Sequence, residues 1–256
     1  MSPRVVITGA ASGIGAATAA SLRARGAAVV GLDINASSED VLACDVRDQD
    51  LVEEAMADAI ERLGGLDVLI NCAGIGDPQS AGEAPGEDAL RVLDVNLLGP
   101  WRVTAAALPA LRASRGRVVN VASGLAYLTV PFATAYCMSK RGLVAYSDAL
   151  RIEHGDAITV TTVYPGYIRT PIHDAAAAKG LTLEGSVPAE RVEDAARTLT
   201  RAALGSPRRD LATTRLGEIT YALLRVIPRG LVDWAVARQF RRAGFDTSEL
   251  VTRTRD

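Results

Sequence analysis

Val5-Val6-Ile7-Thr8-Gly9-Ala10-Ala11-Ser12-Gly13-Ile14-Gly15 is the stretch that decides the fold. Its β-branched opening suits a short buried strand. The glycines lead into a helical stretch that reaches Arg25 and is closed by Gly26 just past its end. Strand, glycine turn and helix N-terminus in succession make an anion site, because unpaired backbone N–H groups converge there and missing Cβ atoms let a pyrophosphate approach. The spacing is G-x-x-x-G-x-G, which differs from the G-x-G-x-x-G of many dinucleotide-binding turns. Gly9, Ser12, Gly13, Ile14 and Gly15 are the first candidate cofactor-binding residues.

Working outward, residues 27–32 form a second apolar run that ends at Asp33. A carboxylate at the tip of the second strand, about 20 residues beyond the glycines, can accept hydrogen bonds from the adenosine ribose and repels a 2′-phosphate. No Arg or Lys stands beside it in sequence, so NAD is favoured over NADP. The interval from Asp33 to Asp45 is too short for a full crossover helix, which with its connections takes at least about 10–12 residues. A loop or single turn is expected there, followed by a third strand over residues 41–44 with Asp45-Val46 at its carboxyl end.

Residues 50–63 have helical spacing, with Leu51, Ala55 and Ala59 on the inner face and Gly64-Gly65 as the stop. Asp67-Val68-Leu69-Ile70 is a fourth strand with the turn Asn71-Cys72-Ala73-Gly74. A loop over residues 76–87 precedes a helical region, residues 90–111, interrupted at Gly99-Pro100. That region holds Asn96, whose amide is costly to bury unless it is paired. Arg117-Val118-Val119-Asn120-Val121 is a fifth strand running into Ala122-Ser123-Gly124, and residues 158–163 are a sixth, followed by Tyr164-Pro165-Gly166. Strands alternating with helices throughout predict an α/β fold, a doubly wound parallel sheet of Rossmann type, with no repeat and no domain linker.

Between the fifth and sixth strands lies Tyr136-Cys137-Met138-Ser139-Lys140. Tyr and Lys four residues apart share one side of a helix. A fixed cation beside a phenol stabilises the phenolate and lowers its pKa from roughly 10, so the Tyr could exchange a proton with an alcohol or ketone oxygen. Only two of the 28 Lys and Arg residues are Lys, and one stands at 140. A compact point charge suits a tight site that touches both a phenol and a sugar hydroxyl better than a planar guanidinium does.

With 256 residues, 48% hydrophobic, the chain can bury one substantial core, and a net charge of −2 argues against a broad nucleic-acid-binding surface. Cys44, Cys72 and Cys137 are far apart, and His154 and His173 have no ligand partner at metal spacing. No metal site is expected, and the cysteine usage fits a reduced, cytoplasmic protein. No signal peptide is expected, and no apolar run is long enough to span a bilayer.

These residues resemble those of the short-chain dehydrogenase/reductase family. Thr8-Gly9-x-x-x-Gly13-Ile14-Gly15, Asn71-Cys72-Ala73-Gly74, Asn96, Ser123, Tyr136-x-x-x-Lys140 and Pro165-Gly166 follow its order and spacing over roughly residues 4–215. The resemblance implies a single dinucleotide-binding domain with about seven parallel strands, the last of them at residues 209–213. It also implies a catalytic set. Tyr136 would be the general acid/base, Ser123 would bond the substrate oxygen, Lys140 would bind the nicotinamide ribose and lower the Tyr136 pKa, and Asn96 would hold a water in the proton path. Asp45 and Val46 would lie near adenine, Ile168 and Thr170 would hold the nicotinamide amide, and Asn71, Ala73, Gly74, Pro165 and Gly166 would complete the cofactor contacts. Cys72 stands where the family often has Asn, and the shortened segment after Asp33 leaves the adenine side more open. A homodimer or homotetramer built from the Asn96 and Tyr136 helices is implied as well.

Residues 167–187 fall where the family places its substrate lid. Ala175-Ala176-Ala177-Ala178 suits a short mobile helix there, and His173 is expected to be a lid surface residue. Beyond residue 215 two apolar stretches carry Arg225, Arg229, Arg238, Arg241 and Arg242 and are divided by Pro228. Two amphipathic helices are expected, packed on the domain or a partner subunit, or else resting on a membrane surface. The apolar lid (Ile172, Leu181, Leu183) and tail favour a bulky hydrophobic substrate, steroid-like or polyketide-like. The expected activity is NAD-dependent interconversion of a secondary alcohol and a ketone. The alternatives are an NADPH-dependent 3-ketoacyl thioester reductase and a non-catalytic dinucleotide-binding scaffold or sensor.

Overall fold

A computed structural model describes residues 2–36, 38–173 and 189–242. Its strands are β1 (Arg4–Thr8), β2 (Ala28–Asp33), β3 (Val41–Ala43), β4 (Val68–Asn71), β5 (Arg117–Val121), β6 (Thr159–Tyr164), β7 (Tyr167–Ile168), β8 (Ala189–Glu190) and β9 (Asp210–Ala212). Seven of them form one all-parallel sheet in the order β3-β2-β1-β4-β5-β6-β9. The helices are α1 (Gly13–Arg23), α2 (Gln49–Leu63), α3 (Glu87–Leu93), α4 (Gly99–Ser114), α5 (Thr134–His154), α6 (Val192–Leu204), α7 (Arg215–Val226) and α8 (Arg229–Arg242).

Both faces of the sheet are covered, which is why its strands read as continuous apolar runs. Successive side chains of β1 point to opposite faces. Val5 and Ile7 join a core with Leu22 of α1 and Leu199 of α6. Val6 joins the opposite core with Val52 and Met56 of α2, Leu111 of α4 and Leu150 of α5. The strand order reverses between β1 and β4, and the crevice outside their carboxyl ends is where open α/β sheets bind ligands.

Two local expectations need correction. The buried stripe of α2 is Val52, Ala55, Met56 and Ala59, and Leu51 is 43% exposed. Asp48 accepts hydrogen bonds from the N–H groups of Asp50 and Leu51, so the helix starts with Leu51 in its first turn, on the outer side. The break in the next helical region falls at a π-helical turn, Asp94–Leu98, and not at Gly99-Pro100. Pro100 lies in the first turn of α4, where the α-helical ladder is already interrupted and its missing N–H costs little. The short ladder β7–β8, which pairs Tyr167 with Ala189 and Ile168 with Glu190, was not foreseen. Between β2 and β3 the described residues form turns, and Cys44 N–H bonds to the Asp33 carbonyl at 2.8 Å. The expected lid residues Leu181, Leu183 and the alanine run lie outside the described residues.

Candidate active site

One cleft of about 1220 Å³ runs along the carboxyl ends of the strands. At one end, the turns after β1 and β4 are bolted together: Thr8 Oγ1 accepts the N–H groups of both Cys72 and Ala73 at 3.0 Å. Gly9 sits so close to that second turn that an added Cβ would lie 2.8 Å from Ala73 Cα. At Gly15 it would strike the Gly9 carbonyl oxygen, so the turn tolerates no side chain. Ser12 caps α1 with extended backbone and no side-chain hydrogen bond, and the first turn of α1 holds no acidic residue. An open, uncapped helix N-terminus of this kind fits a phosphate group.

Asp33 lines the same cleft. Its carboxylate accepts the N–H of Ala11 at 3.0 Å and of Asn35 at 2.9 Å, one on each oxygen, which fixes the group and leaves a lone pair on each for ribose hydroxyls. Asp45 and Val46 line the cleft beside it. Asp45 pairs with Arg47 at 2.6 Å, and that hydrogen-bonded guanidinium holds the Asp45 carboxyl below the usual carboxylate range. Arg47 also faces the cleft, a cation that the sequence neighbours of Asp33 do not reveal.

At the other end Ser123, Tyr136 and Lys140 meet. Ser123 lies close enough to Tyr136 to oppose the rise of its phenol pKa, and its Oγ accepts the N–H of Leu125 at 3.2 Å. Lys140 is buried, donates from Nζ to the Val121 carbonyl at 3.0 Å, and lies 5.7 Å from the Tyr136 ring centroid. Both electrostatic shifts follow burial. The Tyr136 phenol is pushed up to about 12, chiefly by burial and against the effect of Ser123. The Lys140 ammonium is brought down to about 8, again by burial. The expected lowering of Tyr136 by Lys140 is therefore reversed in the protein alone, because desolvation outweighs a cation whose hydrogen bond goes to a carbonyl.

Asn96 is fully buried in the π-helical turn and is not among the residues lining the cleft. Its amide bonds reciprocally with the Ile75 peptide, at 2.9 Å both ways, and its Nδ2 also donates to Ser139 of α5 at 3.2 Å. A Cβ on Gly74 would lie 3.3 Å from Asn96 Oδ1 and 3.4 Å from Lys140 Nζ, so the three meet at one point of the cleft wall, with Asn96 behind it. Asn71 is likewise outside the cleft lining. Its Nδ2 donates to Thr104 at 3.0 Å and Asn120 at 2.8 Å, tying β4 to α4 and β5. Ala73, Gly74, Pro165, Gly166, Ile168 and Thr170 do line the cleft, together with Gly9, Ser12, Gly13, Ile14 and Gly15.

The Tyr136 end of the cleft has a wall that sequence reasoning missed. Tyr221 of α7 lies over Gly124, where any added Cβ would strike its hydroxyl, and it faces the cleft beside Leu125, Leu128 and Ile172. Burial pushes its phenol up to about 12. Its ring packs on Tyr127 and Tyr164, with centroids 6.1 Å and 5.8 Å away. Arg225, one turn on, donates to the Tyr127 hydroxyl at 2.6 Å and pairs with Asp210 at 3.1 Å, while Tyr164 donates to Asp210 at 2.8 Å. Glu190 accepts from Gly166 N–H and from Thr213, which ties β8 to the turn after β6. The one available signal was Arg225 itself, a charge interrupting an apolar helical stripe. Among the described residues no cluster of His, Cys, Asp and Glu could hold a metal ion, and no helix is long and apolar enough to cross a membrane.

A family model described as short chain dehydrogenase matches residues 3–180. The D-beta-hydroxybutyrate dehydrogenase of Rhizobium meliloti (strain 1021) is 30% identical over 207 residues, 72% of this chain and 80% of that protein. Oxidoreductase UcpA of Escherichia coli (strain K12) is 31% identical over 223 residues, 81% of each. The solved 3-ketoacyl-(acyl-carrier-protein) reductase from Brucella melitensis, complexed with NADH, superposes with a TM-score of 0.71 at 25% identity, over 82% of this chain and 97% of that one.

Proposed function

Because the chain belongs to the short-chain dehydrogenase family and is an oxidoreductase of that family, we propose that it interconverts a secondary alcohol and a ketone with NAD, on a bulky hydrophobic substrate. The observation that carries this is one continuous cleft, with an open helix N-terminus and Asp33 at one end and Ser123, Tyr136 and Lys140 at the other. The apolar lining at the substrate end, Leu125, Leu128, Val130, Ile172 and Val236, supports a hydrophobic substrate. One nucleotide-binding domain, with α7 and α8 as its extension, is the proposed organisation. Exposed Leu98, Trp101 and Met138 on the helical surface around α4 and α5 fit self-association there.

A bound nicotinamide dinucleotide supplies the hydride donor for reduction or the acceptor for oxidation. Gly9, Ser12, Gly13, Ile14 and Gly15 would hold its pyrophosphate and Asp33 its adenosine ribose, with Asp45 and Val46 toward adenine. Ala73, Gly74, Pro165, Gly166, Ile168 and Thr170 would line its nicotinamide half. Ser123 bonds the substrate oxygen. Tyr136, protonated at neutral pH because its burial favours the neutral phenol, gives its proton to that oxygen as a ketone becomes an alcohol. In the reverse direction the phenol must first lose that proton, and Lys140, with a pKa of about 8, is close enough to neutrality to relay it. Asn96 is a positioning residue: it clamps Ile75 to Ser139 and so fixes the helix that carries Tyr136 and Lys140.

Reduction of 3-ketoacyl thioesters is a second reading, favoured by the likeness to the Brucella melitensis reductase. Titration with NADH and NADPH, followed by a panel of lipophilic ketones and 3-ketoacyl thioesters, decides between them. Tyr136→Phe is expected to keep NADH affinity and lose about 10²- to 10⁴-fold in turnover. Undiminished turnover in that variant would refute the assigned proton donor. Tight NADH binding without turnover of any carbonyl compound would indicate a scaffold or sensor.

A further inference from the structure

The helices α7 and α8 have two different faces. Inward, Tyr221 sits on Gly124, Val232 is buried, and Val236 and Gln239 line the mouth of the cleft. Leu216, Ile219, Leu223 and Val226 recur at helical spacing along α7, and Leu231 and Trp234 stand three residues apart on α8. All six are between 51% and 76% exposed. An exposed apolar stripe along α7, with two more large apolar residues exposed on α8, marks a contact surface.

Charge identifies the occupant. Residues 215–242 hold six Arg against two acidic residues, Glu218 and Asp233, in a chain whose net charge is −2, and with Arg225 turned inward onto Asp210 the other five still outnumber them. Glu218 is paired with Arg201, and Arg238 stacks 5.2 Å over the Trp234 ring at the edge of the stripe. Trp and Arg flanking an apolar helix face are the residues that settle at the headgroup level of a bilayer. A two-fold contact between copies would bring this basic segment against itself, whereas an anionic leaflet complements it. Leu216 belongs to the stripe and also lines the cleft, so the mouth of the cleft opens at the same surface.

We propose that the outward face of α7 and α8 rests on an anionic lipid surface, from which the cleft takes up a lipophilic substrate. The binding step does not depend on the redox assignment, so the two can fail separately. The test is co-sedimentation of the full chain with vesicles of phosphatidylcholine alone and of phosphatidylcholine mixed equally with phosphatidylglycerol. Leu223 and Val226 are outside the cleft lining, so a Leu223→Glu, Val226→Glu double variant is the informative mutant. NADH affinity and melting temperature show whether it is still folded. The expected result is binding to the anionic vesicles that weakens with salt and falls about tenfold or more in the double variant. Absence of binding to either vesicle would overturn the proposal, as would unchanged binding by the double variant. An oligomer that the double variant breaks apart, without vesicle binding, would assign the face to a second copy and overturn it too.

Discussion

The two ends of the cleft are built by different means. The nucleotide end is backbone chemistry: Gly9, Gly15 and Ala73 in contact, Thr8 Oγ1 bolting two turns, Asp33 fixed by two N–H groups. The substrate end is side-chain chemistry over long sequence separations, with Arg225 reaching Tyr127 and Asp210 to hold Tyr221 over Gly124. Backbone turns admit few substitutions, and side-chain walls can be rebuilt. Under the proposed function, one end therefore fixes the cofactor class while the other is free to set the substrate.

The junction between the two ends should show the largest effect. Lys140→Met is expected to reduce turnover by about 100-fold or more, yet to raise the melting temperature by a few degrees. The sign follows from burial. Lowering Lys140 from 10.5 to about 8 means that the charged form costs the fold about 3 kcal/mol below pH 8, partly offset by its bond to Val121. That cost fades as pH rises from 8 to 10.5, so wild-type stability gains from Lys140 across this window, and the variant should lose the slope. Tyr136 works oppositely above pH 10, where its raised value makes the folded state lose stability as pH climbs toward 12. A variant that melts lower than wild type at neutral pH would show that the Val121 bond outweighs the desolvation.

A smaller effect, confined to one end, is expected at Arg225. Arg225→Met removes the cation shared by Asp210 and the Tyr127 hydroxyl, leaving Asp210 with Arg209 at 3.5 Å, and frees the α7 wall. It should raise KM for bulky substrates about tenfold, with kcat for small ones and NADH affinity nearly unchanged, at a stability cost of about 1–3 kcal/mol. Equal loss of NADH affinity would mean that the ends of the cleft are coupled.

How much was legible in the sequence follows the same division. The glycine turn, Asp33 and the Tyr136-Lys140 helix were legible because each depends on spacing within a single strand-turn-helix unit. The sheet was legible because burial on both faces forces continuous apolar strands. Asn71 and Asn96 were recognisable as special, but their positions behind the wall were not, since only the fold decides whether an amide meets a ligand or another amide. Tyr127, Tyr164, Tyr221 and Arg225 gave almost no local signal. Their partners lie on separate elements, and an aromatic residue or an Arg in an amphipathic stripe has no spacing rule to betray it. Arg47 was missed for the same reason: it meets the cleft only because Cys44 pairs with Asp33 across β2 and β3.

Arg47 leads to the smallest and most specific prediction. A 2′-phosphate at the adenosine ribose would meet the Asp33 carboxylate, and Arg47, the cation that faces the cleft just past β3, is committed to Asp45. Asp45→Asn removes that commitment. NADPH affinity should rise several-fold in the variant while NADH affinity stays within about twofold, because Asp33 still accepts the ribose hydroxyls. The stability change should be below about 1 kcal/mol, since both partners are partly exposed and solvent screens the pair. Its pH dependence has a fixed sign. The Asp45 value is lowered in the fold, so the pair's contribution is present above the ordinary carboxylate range and is lost as pH falls through the lowered value. Wild type and variant should therefore converge in stability in acid. Equal gains for NADH and NADPH would mean that Arg47 acts on the shared pyrophosphate, and discrimination would then rest on Asp33 alone.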